Sequence, residues 1–267
     1  MQRLKYGAAT DVGKTRSHNE DNYRAEPELG LWLVADGMGG HLGGETASAL
    51  ASDLIVEGVR EGISLTGPIA RAHDAIIQAS REGKGPEGMG TTVVAMKTSG
   101  DHYEIAWVGD CRAYLWDGAG LNQLTKDHSY VQYLVDKGII SAEESENHPQ
   151  QNFVMQALGS TEIEAVEVDT VRHRFYRGEQ VLLCSDGLFK ELDNKDMEMI
   201  LAMGLDAQKT VDRLIQAAVE NGGGDNITAI LVSADDQAPV KTPESWMPKD
   251  VKMIWQSLRN VLSRMLS

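Results

Sequence analysis

A chain of 267 residues with 42% hydrophobic and 24% charged residues can bury a substantial core, which excludes general disorder. A net charge of −15 excludes nucleic-acid binding as a general mode, because phosphate contacts need clustered Lys and Arg. No run approaches the roughly 18 apolar residues of a membrane span, and the N-terminal MQRLKYGAATDVGKTR lacks the apolar stretch of a secretory signal. Two cysteines, Cys111 and Cys184, are too few for a disulfide scaffold and suit a reducing compartment, so a cytoplasmic protein is expected.

Strand patterns recur near residues 4–9, 31–35, 91–97, 103–108, 112–116, 163–171, 180–184 and 227–233. Between them, residues 44–60 place Ala47, Leu50, Ala51, Leu54 and Ile55 on one helical face, and residues 207–220 do the same with Val211, Leu214, Ile215 and Ala218. Asp206 is the expected N-cap of the latter helix. Further helices are predicted near 68–81, 128–137 and 193–203. The strands do not alternate singly with helices, as a parallel βαβ sheet requires. Short turns at SGDH and GDC predict that 91–97, 103–108 and 112–116 are antiparallel neighbours. The fold class that follows is α+β, a sheet-on-sheet core with helices packed outside. Residues 139–160, polar and containing His148-Pro149, read as a surface flap.

Three units are expected along the chain: a globular domain over 1–236, a linker over 237–249 broken by Pro239, Pro243 and Pro248, and a helix over 250–267. In that last segment Val251, Ile254, Trp255, Leu258, Leu262 and Met265 share a face, while Lys249, Lys252, Arg259 and Arg264 make it basic. Such a helix can dock on its own domain, bind a partner protein or lie on an anionic membrane surface.

Four aspartates sit beside apolar strand-like runs: Asp36 in LWLVADGMGG, Asp110 in IAWVGD, Asp186 in VLLCSDGL and Asp225 in GGGDNITAILV. Any one of them could mark an ordinary turn. As a set carried on rigid strands, they suit hard divalent cations such as Mg²⁺ and Mn²⁺, which prefer oxygen ligands. Arg16, opening RSHNED, adds a planar fork able to hold two oxygens of a phosphate ester. Competing motifs fail on spacing. GAATDVGKT separates Gly7 from Gly13 by five residues where a Walker loop needs four, and Leu42 stands where a dinucleotide loop needs its third glycine. Neither cysteine has Arg at the spacing of a cysteine-phosphate mechanism, and the seven His residues form no HExxH. A water activated by two ions is the chemistry left standing.

The series RSHNED, ADGMGGHLGGETAS, MGTTVVAM, WVGDCRAYL, LTKDHS, QALG, LLCSDGL and GGGDNITAILV resembles the metal-dependent Ser/Thr protein phosphatases of the PPM (type 2C) family in its bacterial form, over about residues 5 to 233. The resemblance implies a central β-sandwich of two antiparallel sheets flanked by helices on both sides, with 1–236 as the catalytic domain. It implies two Mn²⁺ or Mg²⁺ ions bridged by Asp36, with the Gly37 carbonyl on one ion and Asp186 and Asp225 on the second. Asp110 matches a ligand of a more weakly held third ion. Glu20 and Asp21 match an acidic pair that orients waters at the ions, and Arg16 matches the phosphate-binding arginine. Met38 stands where eukaryotic members carry a histidine general acid, with His41 three residues further on as substitute or ordinary loop residue. Asn152 occupies the flap position that can complete the third site.

The implied activity is hydrolysis of phosphoserine and phosphothreonine in phosphoproteins, with attack on phosphorus by a water activated between the two cations. The phosphoproteins would be targets of a eukaryotic-type Ser/Thr kinase, in signal transduction. The alternatives are a catalytically silent phosphoprotein-binding module and a scaffold recruited through the C-terminal helix.

Overall fold

The computed structural model describes residues 4–40, 42–163, 165–234 and 238–240. In chain order its elements are β1 (Lys5–Asp11), β2 (Asn22–Glu26), β3 (Leu31–Ala35), β4 (Gly37–Met38), α1 (Leu42–Arg60), α2 (Thr66–Arg81), β5 (Gly90–Thr91), β6 (Val93–Ser99), β7 (His102–Val108), β8 (Arg112–Trp116), β9 (Leu121–Gln123), α3 (Tyr130–Asp136), α4 (Ala142–Glu146), β10 (Asp169–Arg174), β11 (Gln180–Cys184), α5 (Asp186–Phe189), α6 (Asn194–Leu201), α7 (Ala207–Asn221) and β12 (Ile227–Ser233).

The continuous apolar runs form strands that are buried on both faces, and their alternation sorts side chains between two environments. Along β3, Trp32 and Val34 point between the sheets, while Leu31, Leu33 and Ala35 pack under α1 and α2. Along β11 and β12, Val181, Leu183, Ile230 and Val232 fill the space between the sheets, and Leu182, Cys184, Ala229 and Leu231 pack under α6 and α7. The two antiparallel sheets have strand orders β1-β12-β11-β8-β9 and β10-β7-β6-β3-β2. Ala47, Ala51 and Ile55 of α1 and Val211, Leu214 and Ala218 of α7 are buried against the outer faces. The result is the expected four-layer α-β-β-α sandwich. Asp206 caps α7 as predicted, accepting from the backbone N–H of Lys209 at 3.0 Å.

Two expectations are corrected. β8 is not the antiparallel neighbour of β7: β7 pairs with β6 and β10, whereas β8 pairs with β11 and β9 in the opposite sheet. The three residues between them cross from sheet to sheet. Gly109, at φ 100, turns the chain where a Cβ would lie 2.4 Å from Thr92 Cβ. The strand predicted over 163–171 begins only at Asp169, because Val166 and Val168 pack against the α1–α2 core instead of entering the sheet.

Within the predicted flap, Ser141 and Glu144 form a reciprocal cap that starts α4. The loop returns at Leu158, whose backbone bonds Thr91 in both directions. Among the described residues, no helix is long and apolar enough to cross a membrane. The predicted linker and C-terminal helix lie outside the described residues, except for 238–240, where the Pro239 carbonyl accepts from the N–H of Arg177 at 2.9 Å.

Candidate active site

Strand register gathers the predicted acids at one end of the sandwich. In one sheet, Asn22 lies opposite Ala35 and Val93 opposite Val108, so Asp21, Asp36 and the Gly109–Cys111 crossover share an edge. In the other sheet, Asp11 lies opposite Ile227 and Cys184 opposite both Ala229 and Arg112, which brings Asp225 and Asp186 to that same edge. The crossover joins the two edges and carries Asp110.

Each acid is held differently. The backbone carbonyl of Asp36 accepts from the N–H of Thr92 and the hydroxyl of Thr91, both at 2.8 Å, which fixes the exit from β3. Gly37 follows in a place no side chain fits, since a Cβ there would lie 2.2 Å from the Gly44 carbonyl oxygen. Asp186 opens α5, and its Oδ2 accepts from Lys190 Nζ one turn later. Asp225 Oδ2 accepts from Arg16 Nη2 at 2.9 Å, and its Oδ1 accepts from the N–H of Asn226 at 2.9 Å. Asp21 is clamped from below: its Oδ2 accepts from the hydroxyls of Ser185 and Thr228, each at 2.7 Å. Glu20 lies against the first turn of α1, where a Cβ on Gly44 would come within 1.9 Å of its Oε2. Met38 lies in β4, Asn152 is exposed in the flap, and His41 lies outside the described residues.

Burial and mutual repulsion dominate the electrostatics. Burial pushes the Asp21 and Asp110 carboxyls up to about 7, and Asp186 adds repulsion to both. Asp36 is raised well above the carboxylate range by burial, then by Asp186, Asp21, Asp110 and Asp225. Burial works against the Lys190 ammonium, yet Asp186, Asp110 and Asp225 hold its pKa above the usual lysine value. Cys111 and Cys184 are buried thiols pushed up by burial, which leaves them inert.

The residues fit a pair of hard cations. Asp21 Oδ1 and Asp186 Oδ1 are buried acceptors without a hydrogen-bond partner, an arrangement that stays costly until positive charge reaches them. The donors are all oxygens, which selects Mg²⁺ or Mn²⁺ over softer metals. Among the described residues, no three His, Cys, Asp or Glu side chains stand close enough together to hold a metal ion as they are. Such ions keep several waters and need only one or two carboxylates each, so an open arrangement suits them.

Four further residues build the site, three of them without any signal in the sequence that would single them out. Asn226 ties the RSHNED loop down, donating to the carbonyls of Val12 and His18 and accepting from the N–H of Glu20 at 2.8 Å. Ser185 and Thr228 hold Asp21 across more than 160 positions of chain. Lys190 was legible in principle, since its spacing of four from Asp186 is that of a helical ion pair.

Comparison with known proteins places this geometry. Residues 13–231 match the family model described as Protein phosphatase 2C. The serine/threonine phosphatase Stp of Listeria monocytogenes is 38% identical over 240 residues, covering 85% of this chain and 94% of that protein. The crystal structure of the Mycobacterium tuberculosis serine/threonine phosphatase PstP/Ppp is 34% identical, with a TM-score of 0.76 over 87% of this chain and 99% of that one. A PstP catalytic domain determined in complex with two manganese ions is 32% identical, with the same TM-score and coverage. The order of strands, the acids at their ends and the match over residues 13–231 together make this chain a member of the protein phosphatase 2C family.

Proposed function

We propose that this chain is a metal-dependent phosphoprotein phosphatase that hydrolyses phosphoserine and phosphothreonine. The observation that carries the reading is the convergence of five buried or half-buried aspartates, two with orphaned oxygens, beside a guanidinium at the rim. Asp36, the Gly37 carbonyl, Asp186 and Asp225 would hold two Mn²⁺ or Mg²⁺ ions, with Asp110 beside them. Such ions supply Lewis acidity and can lower the pKa of a water toward about 7.

The chain's own groups do the rest. Arg16, exposed at the rim, binds two phosphoryl oxygens through its planar fork and orients phosphorus toward the acidic floor. Its charge also offsets that developing on the equatorial oxygens. Asp21, fixed by Ser185 and Thr228, and Glu20, fixed through its backbone by Asn226, orient waters entering the site.

Residues 1–236 are the catalytic unit in this reading, and 237–267 serve recruitment to a partner or an anionic surface. The substrates are cytoplasmic phosphoproteins made by a eukaryotic-type Ser/Thr kinase. Release of phosphate from a phosphothreonine peptide tests the activity: turnover should require Mn²⁺ or Mg²⁺ and vanish in excess EDTA. Turnover undiminished by EDTA overturns the reading.

A further inference from the structure

We infer that Lys190 is a built-in counter-cation of the acidic centre, which keeps its hold on Asp186 when the centre is loaded and limits that centre to two divalent ions. The inference deepens the metal-dependent reading above and rests on it.

The pairing is local. Lys190 follows α5 directly and lies four residues after Asp186, so one helical turn returns Nζ to Asp186 Oδ2 with no rearrangement elsewhere. The Asp186 side chain is 12% exposed and that of Lys190 34%, so solvent and salt screen the contact less than a surface pair. Asp186 divides its two oxygens. Oδ2 belongs to Lys190, while Oδ1 is buried without a partner and remains available to an ion. An ion can therefore bind Asp186 without evicting the lysine.

Charge balance points the same way. Asp21, Asp36, Asp110, Asp186 and Asp225 carry five negative charges when ionised, and Asp21, Asp110, Asp186 and Asp225 each repel at least one other of the group. Two divalent ions return four. The Lys190 ammonium, within the field of Asp186, Asp110 and Asp225, supplies the fifth. At the rim, Arg16 pairs with Asp225 and acts more weakly on Glu20, so the Arg16 and Glu20 charges cancel in the sum. A third divalent ion beside Asp110 would enter a centre already neutral and would face the ammonium at short range.

Calorimetric titration of the full chain with Mn²⁺ tests this, at fixed pH and ionic strength, on the wild type and on Lys190→Arg, Lys190→Gln and Lys190→Met. Circular dichroism of each variant confirms the fold, and the Gln and Met variants remove the charge by two different chemistries. The expected result is two ions in the wild type and in Lys190→Arg. Lys190→Gln and Lys190→Met should each take up a third ion with a Kd at least tenfold below any third-ion Kd of the wild type. Identical stoichiometry and affinities in wild type and Lys190→Gln overturn the role of Lys190 while leaving the two-ion reading intact. Absence of Mn²⁺ binding in all four proteins overturns the two-ion reading and this inference with it.

Discussion

Arg16 and Asp225, 209 positions apart in sequence, meet at 2.9 Å where the RSHNED loop crosses the start of β12. The bond engages Nη2, and a guanidinium carries five donors, so the pair orients the arginine without exhausting it. Arg16→Ala should therefore raise KM for a phosphopeptide by about tenfold, with a smaller fall in kcat. Because the Arg16 side chain is 53% exposed, stability should change by less than about 1 kcal/mol. Steady-state kinetics and denaturant melts check both parts.

Asp36 is half-buried among four other carboxylates that repel it. Asp36→Asn removes the ionisable group from the cluster without changing its volume. Ion-free protein carrying this change should be more stable than wild type, by roughly 1–3 kcal/mol, while turnover should fall by about a thousandfold or more under the proposed role of Asp36 in holding the ions. Melting in EDTA and phosphate-release assays read the two effects, and their opposite signs separate a functional acid from a structural one.

The pH dependence of the ion-free protein has a defined sign. Asp21 and Asp110 are pushed up to about 7 in the fold, and Asp36 is raised as well, mainly by burial. Unfolded carboxylates lose their protons near 4. Between these limits the folded state binds more protons than the unfolded state, so this contribution to stability declines as pH rises from about 4 to about 7. Protons also compete with ions for the same oxygens, so Mn²⁺ should raise the melting temperature more at pH 8 than at pH 5.5. Thermal melts in EDTA and in Mn²⁺ at both values check the two slopes.

Thr228 is fully buried, and its hydroxyl bonds both Asp21 and Thr10 at 2.7 Å. Thr228→Val keeps the shape and deletes the donor. A loss of about 1–3 kcal/mol is expected, the range for a hydrogen bond to an ionisable buried partner. Mn²⁺ affinity should fall with it if Asp21 is then free to turn, which titration of the folded variant measures.

The acids were legible because an apolar run followed by Asp-Gly marks both the end of a buried strand and the turn beyond it. Asp36 and Asp186 sit in that pattern, and strand register carries them to one edge without any further signal. Sheet membership was less legible. GDC between β7 and β8 has the length of a hairpin turn, and only the pairing of β8 with β11 and β9 shows that it crosses between sheets. Val166 and Val168 alternate like a strand, but the α1–α2 core offers them a drier surface than an edge position would. The clamps on Asp21 and the RSHNED loop join residues more than 160 positions apart, and no local pattern records such a bond.

Diffraction from Mn²⁺-soaked crystals at the manganese edge tests the central claim most directly. Two anomalous peaks between Asp36, Asp186 and Asp225, with Lys190 still on Asp186, are the predicted result. No peak at that end of the sandwich, or peaks confined to other surfaces, would contradict it.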